Sequence, residues 1–317
     1  MIKTNKPKIS VVIPVYNGGK YLRQTVDCLK NQTFRDFEVI LVEDFSTDDS
    51  MTFIQSVAKT DNRMKIIRRK QKGGTGTKGV IYGLSYCKGD YFFYMSQDDL
   101  IENDTFEKLY NKALETGADI VVPNMVWYFD DEADHGGLYY DENKEIDSKE
   151  AFLLSLRWKI HGFNLKKMEL IKKVGFDDLY YNSDEYASRI QYFYANKVAF
   201  CNTKFFYRQD NPNAITKDGL KPFKFEILPN ASRLVDFMIK QHLQGEKEFS
   251  KFIVRIFRIY KRFATSSEIL TFNADDRKRI NQICFEFRRD FLRQAIQTKK
   301  ILFILRALRI FLIKPKK

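Results

Sequence analysis

Three observations predict an α/β protein with a mostly parallel sheet flanked by helices and a helical C-terminal extension. Short apolar runs alternate with segments of helical periodicity from Ile9 to Pro123. Polar and acidic clusters recur immediately after those apolar runs. The whole excess of positive charge falls at the end of the chain. The 317 residues carry a net charge of +13, and residues 231–317 hold 21 Lys and Arg against 8 Asp and Glu, leaving 33 of each sign in residues 1–230. A charge-balanced domain over 1–220 followed by a basic helical region over 221–317 is therefore expected.

The elements follow in order. Ile9-Ser-Val-Val-Ile-Pro-Val reads as a buried strand, and Asn17-Gly-Gly as a turn. Lys20 to Lys30 places Leu22, Val26 and Leu29 on one helical face. Phe37 to Val42 is a second buried strand, followed by a helix from Ser50 to Lys59 and a short strand from Met64 to Arg68. Gly79 to Cys87 reads as a helix and Tyr91 to Met95 as a strand. Phe106 to Glu115 reads as a helix and Ala118 to Pro123 as another strand. Strands alternating with helices imply βαβ units and a parallel sheet, and such sheets bind ligands at the carboxyl ends of their strands. Tyr16-Asn17, Glu43-Asp44 and Asp98-Asp99 all sit at such ends. Residues 128–147, acidic and aromatic, read as a loop over the site; from about Lys221 the chain reads as helices to its end.

Cys28, Cys87, Cys201 and Cys284 are widely spaced and form no C-x-x-C pair, which points to reduced thiols. The apolar stretch Ile9 to Val15 is too short, and too interrupted by Pro14, for a secretory leader. No run of about twenty apolar residues suggests a bilayer-spanning helix.

Ser10-Val-Val-Ile-Pro-Val-Tyr-Asn, Val42-Glu-Asp-Phe-Ser-Thr-Asp, Gly89-Asp-Tyr-Phe-Phe-Tyr-Met-Ser-Gln-Asp-Asp and Tyr207-Arg-Gln-Asp-Asn-Pro-Asn-Ala-Ile-Thr occur in that order and at fitting separations. Over about residues 8 to 216 the chain resembles the family 2 glycosyltransferases, inverting enzymes of GT-A fold that use nucleotide-diphosphate sugars. The resemblance implies a metal-dependent transferase with a UDP-sugar donor and Mn²⁺ or Mg²⁺ as cofactor. A nucleotide base needs an aromatic or apolar platform and a hydrogen-bonding edge reader. Pro14 and Tyr16 could supply the first, with Asn17 beside them on the donor side, and the resemblance makes Asp44 the base-contacting acid. Where the family pattern has Asp-Asp-Gly-Ser, this chain has Glu43-Asp44-Phe45-Ser46, so Phe45 stands in place of glycine.

Lys72-Gly-Gly-Thr-Gly-Thr-Lys-Gly precedes a helix without P-loop spacing. Its backbone N–H groups, Lys72 and Lys78 fall where the family lays the donor sugar and diphosphate. Ser96-Gln97-Asp98-Asp99 takes the place of the family's Asp-x-Asp metal motif: Ser96 replaces the first acid, Asp98 is the metal-binding last acid, Asp99 stands beside it, and Gln97 lies on the donor side. The general base falls in Asn182-Ser-Asp-Glu-Tyr, with Glu185 or Asp184 taking the acceptor's proton. Arg208 is placed to neutralise charge on the leaving group, and Trp158 and His161 lie where family members shape the acceptor site.

The basic end has two amphipathic stretches. Lys251, Arg255, Arg258, Lys261 and Arg262 recur at helical spacing among bulky apolar residues, and Arg306 and Arg309 lie within the apolar stretch 301–313. Both suit an anionic membrane surface, and so a peripheral enzyme on the cytoplasmic face of the cell membrane. That enzyme would act on a glycan or lipid-linked acceptor in cell-envelope polysaccharide or lipopolysaccharide synthesis. A packed C-terminal subdomain or a homo-oligomer interface is the competing use of these helices. Nucleic acid is excluded by the interleaved aliphatics and the lack of a binding motif. Two other readings compete. A nucleotidyltransferase needs a glycine-rich loop directly after the first strand, which Pro14-Val-Tyr-Asn-Gly-Gly supplies poorly. A degenerate nucleotide-binding scaffold draws its support from Ser96.

Overall fold

The structure, a computed structural model, describes residues 6–130, 135–217 and 219–316. It divides into two compact units, one built from the chain up to Asp178 with Ala187–Pro212, the other from Leu179–Tyr186 with the chain from Asn213 onward.

The first unit opens with β1 (Ile9–Val15), α1 (Gly19–Lys30), β2 (Phe37–Glu43), α2 (Ser50–Thr60), β3 (Met64–Arg68), α3 (Gly76–Leu84) and β4 (Tyr91–Tyr94). It continues through β5 (Leu100–Ile101), α4 (Thr105–Thr116), β6 (Ile120–Tyr128), β7 (Gly137–Leu138), β8 (Glu145–Ile146), α5 (Ser148–Ser155), β9 (Leu165–Lys167) and α6 (Met168–Val174). Helix α7 (Ser183–Tyr194) leads into the long strand β10 (Val198–Arg208). One sheet runs β3-β2-β1-β4-β9-β6-β10-β5. Its first four strands are parallel, with Val12 opposite Ile40 and Tyr94. β9 is antiparallel to both β4 and β6, whereas β10 lies parallel to β6.

β1 and β2 read as mainly apolar runs because both faces of the sheet are covered. Ile9, Val11, Ile13 and Val15 join Leu22, Val26, Leu29, Ile54 and Val57 in one core, and Val12, Ile40, Val42, Val80 and Phe92 join Met168 and Ile171 in the other. Helix α3 lies directly on β1 and β2. A Cβ at Gly79 would stand 2.7 Å from Pro14 Cβ, and one at Gly83 would stand 2.7 Å from Val12 and 2.8 Å from Val42 side-chain carbons. Only glycine permits that approach. The expected loop over 128–147 carries the two short strands β7 and β8, each pairing back onto the sheet; residues 131–134 lie outside the described residues.

The second unit is helical. A 3-10 turn (Pro222–Glu226) leads to α8 (Ile227–Lys240), α9 (Lys247–Ala264), α10 (Ala274–Thr298) and α11 (Ile301–Leu312). An aromatic seam holds it together: Tyr260–Phe287, Phe287–Phe291 and Phe291–Phe303 have ring centroids 5.4, 5.2 and 4.7 Å apart. Asn273 caps α10 by accepting from the Asp276 N–H at 2.8 Å, and Asp275 and Asp276 complement the positive helix end. The apolar side of α9, including Phe252, Ile253, Ile256 and Tyr260, is buried within this unit. Among the described residues, no helix is long and apolar enough to cross a membrane.

Candidate active site

The carboxyl ends of β1, β2 and β4 are stitched together by side chains. Leaving β1, Tyr16 donates its backbone N–H to Gln97 Oε1 at 2.9 Å, and Gln97 Nε2 donates to the Tyr16 carbonyl at 2.8 Å. Asn17, with φ +48°, donates its backbone N–H to Ser46 Oγ at 3.1 Å and accepts from the Thr47 N–H at 2.7 Å. The Tyr16 ring is exposed, and Lys72 lies against it: Nζ donates to the phenol oxygen at 2.9 Å and sits 4.4 Å from the ring centroid. An aromatic face with a cation beside it therefore stands at the mouth of the sheet.

Asp44 is buried and nearly saturated. Its carboxylate accepts from the Gly73 N–H at 2.8 and 3.1 Å and from the Gly74 N–H at 3.2 Å, and Arg69 Nε lies at 3.3 Å. The glycine-rich stretch thus turns two N–H groups to Asp44 rather than outward. Phe45 adopts φ +64°, the left-handed bend that glycine makes without strain, and Arg68 stacks 5.1 Å from its ring while its Nε lies 3.3 Å from Glu43. Thr75 caps α3 by accepting from the Lys78 N–H at 3.4 Å, which leaves half-buried Lys78 in the first turn of the helix.

Beyond β4, Asp98 is half-buried, and its Oδ2 accepts from Asn211 Nδ2 at 2.8 Å. Asp99 points inward: it is 1% exposed, and Oδ1 accepts the Arg208 backbone N–H at 3.0 Å. Burial, then the neighbouring Asp98 charge, pushes its carboxyl well above the usual range. The Arg208 side chain is fully enclosed. Its Nε donates to the Asp98 carbonyl at 2.7 Å, Nη1 to Asp210 at 3.1 Å and Nη2 to Gln24 at 2.6 Å. The guanidinium lies between Tyr21 and Tyr128, 4.7 and 4.8 Å from their centroids.

Several expectations change here. Arg208 is engaged on all sides by protein groups, so it fixes the Asp98 turn instead of facing a leaving group. Gln97 has both amide atoms on the Tyr16 backbone and positions that residue. Asp99 supports Arg208 and presents no ligand outward. His161 is 2% exposed, with Nε2 2.8 Å from the Pro123 carbonyl, and burial lowers its pKa to about 4. It is a neutral core histidine and does not reach an acceptor. Trp158 stays half-buried at a left-handed turn, φ +56°, after α5. Sequence reasoning passed over Asn211, Gln24, Tyr21 and Arg69. Asn211 lies inside a recognised motif and was findable there. The other three meet their partners only through the fold.

Asp184 and Glu185 occupy the first turn of α7 and are half-buried. They lie in the second unit, whose helices hold the segment that carries them. The Tyr181 N–H donates to Glu226 Oε2 at 2.8 Å, Asn230 Nδ2 donates to the Tyr181 carbonyl at 2.8 Å, and the Arg233 guanidinium stacks 3.9 Å from the Tyr186 ring. Arg279 in turn pairs with Glu226.

No three or more His, Cys, Asp or Glu side chains among the described residues are grouped to hold a metal by themselves. Asp98 nevertheless suits a hard cation. It is a half-buried carboxylate after β4, oriented by the Asn211 amide, and a hard cation takes carboxylate oxygens together with phosphate and water.

A Rossmann-like half-sheet with carboxylates at its strand ends, extended by a mixed second half, is the architecture of a GT-A fold. Residues 10–170 match the sequence model of glycosyl transferase family 2, and the chain belongs to that family. It is 32% identical over 215 residues to the glycosyltransferase GlyG of Streptococcus pneumoniae serotype 4, covering 63% of this chain and 70% of that one. It is 30% identical over 117 residues to the poly(ribitol-phosphate) β-N-acetylglucosaminyltransferase TarP of Staphylococcus aureus, covering 36% of each. Among solved structures, S. aureus TarS 1–349 in complex with UDP-GlcNAc superposes with a TM-score of 0.68 at 16% identity, over 96% of this chain and 88% of that one.

Proposed function

We propose that this glycosyltransferase moves a hexose or N-acetylhexosamine from a UDP-sugar, with inversion, to a glycan or lipid-linked glycan of the cell envelope, assisted by Mn²⁺ or Mg²⁺. The observation that carries the reading is the chain of contacts at the sheet mouth. Lys72 on Tyr16, Tyr16 on Gln97, and Asp98 beside it line one edge, with Asp44 anchoring the glycine-rich stretch. The donor class is supported by the UDP-GlcNAc and UDP complexes of TarS, and the acceptor class rests on the family resemblance and the basic helical end.

In this reading Tyr16 and Pro14 take the base, Lys72 and Lys78 face the diphosphate, and Asp98 holds the cation. The bound cation supplies charge neutralisation for the departing diphosphate. Asp184 or Glu185 accepts the proton of the acceptor hydroxyl as its oxygen bonds to the anomeric carbon. The bond from that carbon to the diphosphate breaks, and its electron pair leaves with UDP. The test is a panel of UDP-Glc, UDP-Gal, UDP-GlcNAc and GDP-Man offered to the full chain without acceptor, with nucleotide release and product anomer followed. Release of UDP with inversion is expected. Turnover of the GDP-sugar alone would overturn the donor class, and nucleotide binding without turnover of any donor would favour the non-catalytic scaffold.

A further inference from the structure

The two basic amphipathic stretches at the end of the chain have different fates. The apolar side of α9 is buried in its own unit, whereas α11 buries only Phe303, Ala307 and Ile310. Its outward side carries Ile301, Leu305, Leu308 and Leu312, 74, 48, 52 and 84% exposed. Their spacing of four, three and four residues puts them in one straight line along the helix. The helix is already fixed with this line outward. Phe303 packs on Phe291 and Phe249, Tyr260 donates to the Ile313 carbonyl at 2.7 Å, and the Lys316 N–H donates to the Ala264 carbonyl at 3.1 Å. A line of four aliphatics held in water by a folded unit marks a contact surface.

Charge selects the partner. From Phe291 to the end the sequence has eight Lys and Arg and no Asp or Glu. Lys299 and Lys300 precede α11, Arg306 and Arg309 lie within it, and Lys314 and Lys316 follow it. Two copies pairing through this face would bring these cations together, whether the helices ran parallel or antiparallel, with no carboxylate from the segment to relieve them. We infer that α11 is a docking helix for an anionic lipid bilayer, lying in the membrane plane with Ile301, Leu305, Leu308 and Leu312 among the acyl chains and the flanking lysines and arginines at the headgroups. At about 18 Å it is too short to span the roughly 30 Å core and the right size to lie along it. Such docking places the enzyme at the surface where a lipid-linked acceptor is presented, on the leaflet that carries anionic lipid.

The test uses the full chain and vesicles of phosphatidylglycerol with phosphatidylcholine, against phosphatidylcholine alone, by co-sedimentation. Binding to the anionic vesicles is expected, falling at least tenfold in Leu305→Glu/Leu308→Glu and weakening as salt is raised. A second variant, Leu308→Trp, is expected to shift its emission to the blue when anionic vesicles are added, without introducing a charge. Equal binding to neutral vesicles, binding unchanged by the double substitution, or an unshifted tryptophan overturns the inference. So does a dimer, seen by sedimentation equilibrium, that the double substitution breaks. None of these readouts depends on transferase activity, so they stand apart from the donor and acceptor assignments.

Discussion

Phe45 holds a backbone conformation that costs an L-residue roughly 1–2 kcal/mol relative to glycine. Its stacking with Arg68 returns roughly 0.5–1 kcal/mol. The stacking offsets about half of the cost, so Phe45→Gly is expected to raise unfolding free energy by at most about 1 kcal/mol in urea titration. Arg208 stands at the other extreme. Its enclosed guanidinium serves the Asp98 carbonyl, Asp210 and Gln24 together, and lysine has no fork to replace it. Arg208→Lys is expected to lose about 3 kcal/mol of stability, because it leaves buried polar groups unpaired. His161 gives a pH signature. Its folded pKa of about 4 lies below the unfolded value near 6.5, so its contribution is complete above about pH 6.5 and is lost as pH falls toward 4. The loss amounts to about 3 kcal/mol. Urea titrations at pH 7 and pH 4.5 are expected to show a steeper loss in wild type than in His161→Gln. An equal loss would mean that the imidazole is not held neutral in the core. These residues also show where sequence reading stops. Asp44 and Asp98 were legible because they follow apolar runs, whereas the inward turn of Asp99, Arg208 and His161 depends on partners distant in sequence.

At the scale of elements, β1, β2 and β4 were legible as mainly apolar runs, β3 as a short mixed one, and α1 from the spacing of Leu22, Val26 and Leu29. β9 was not. Three residues, Leu165–Lys167, with two lysines, carry no strand pattern, and their place between β4 and β6 comes from pairing with both neighbours. The attachment of 179–186 to the C-terminal helices was equally hidden, because it rests on Glu226, Asn230 and Arg233 lying on one helical surface. This has a functional consequence. The helices that follow the sheet hold Asp184 and Glu185; if one of them is the base, as proposed, Glu226→Gln with Asn230→Ala is expected to lower turnover about tenfold. UDP affinity should stay within a factor of two, because the donor-side residues belong to the other unit. Asp184→Asn and Glu185→Gln, assayed separately for turnover and donor KM, are expected to show one severe loss of turnover, and that one identifies the base.

For the whole molecule, the charge asymmetry seen in the sequence maps onto the division of labour. In the proposed reading, the charge-balanced sheet unit takes the nucleotide, and the basic helical unit holds Asp184 and Glu185 and carries α11. In the proposed function the sheet mouth binds a uridine diphosphate with a cation on Asp98. Calorimetric titration of UDP, with GDP as control, in Mn²⁺ and then in EDTA, on wild type and Asp98→Ala, tests it most directly. UDP is expected to bind roughly tenfold tighter with Mn²⁺ than with EDTA, a difference erased by Asp98→Ala, and GDP to bind more weakly. Binding of neither nucleotide, or UDP binding indifferent to both Mn²⁺ and Asp98, would contradict it.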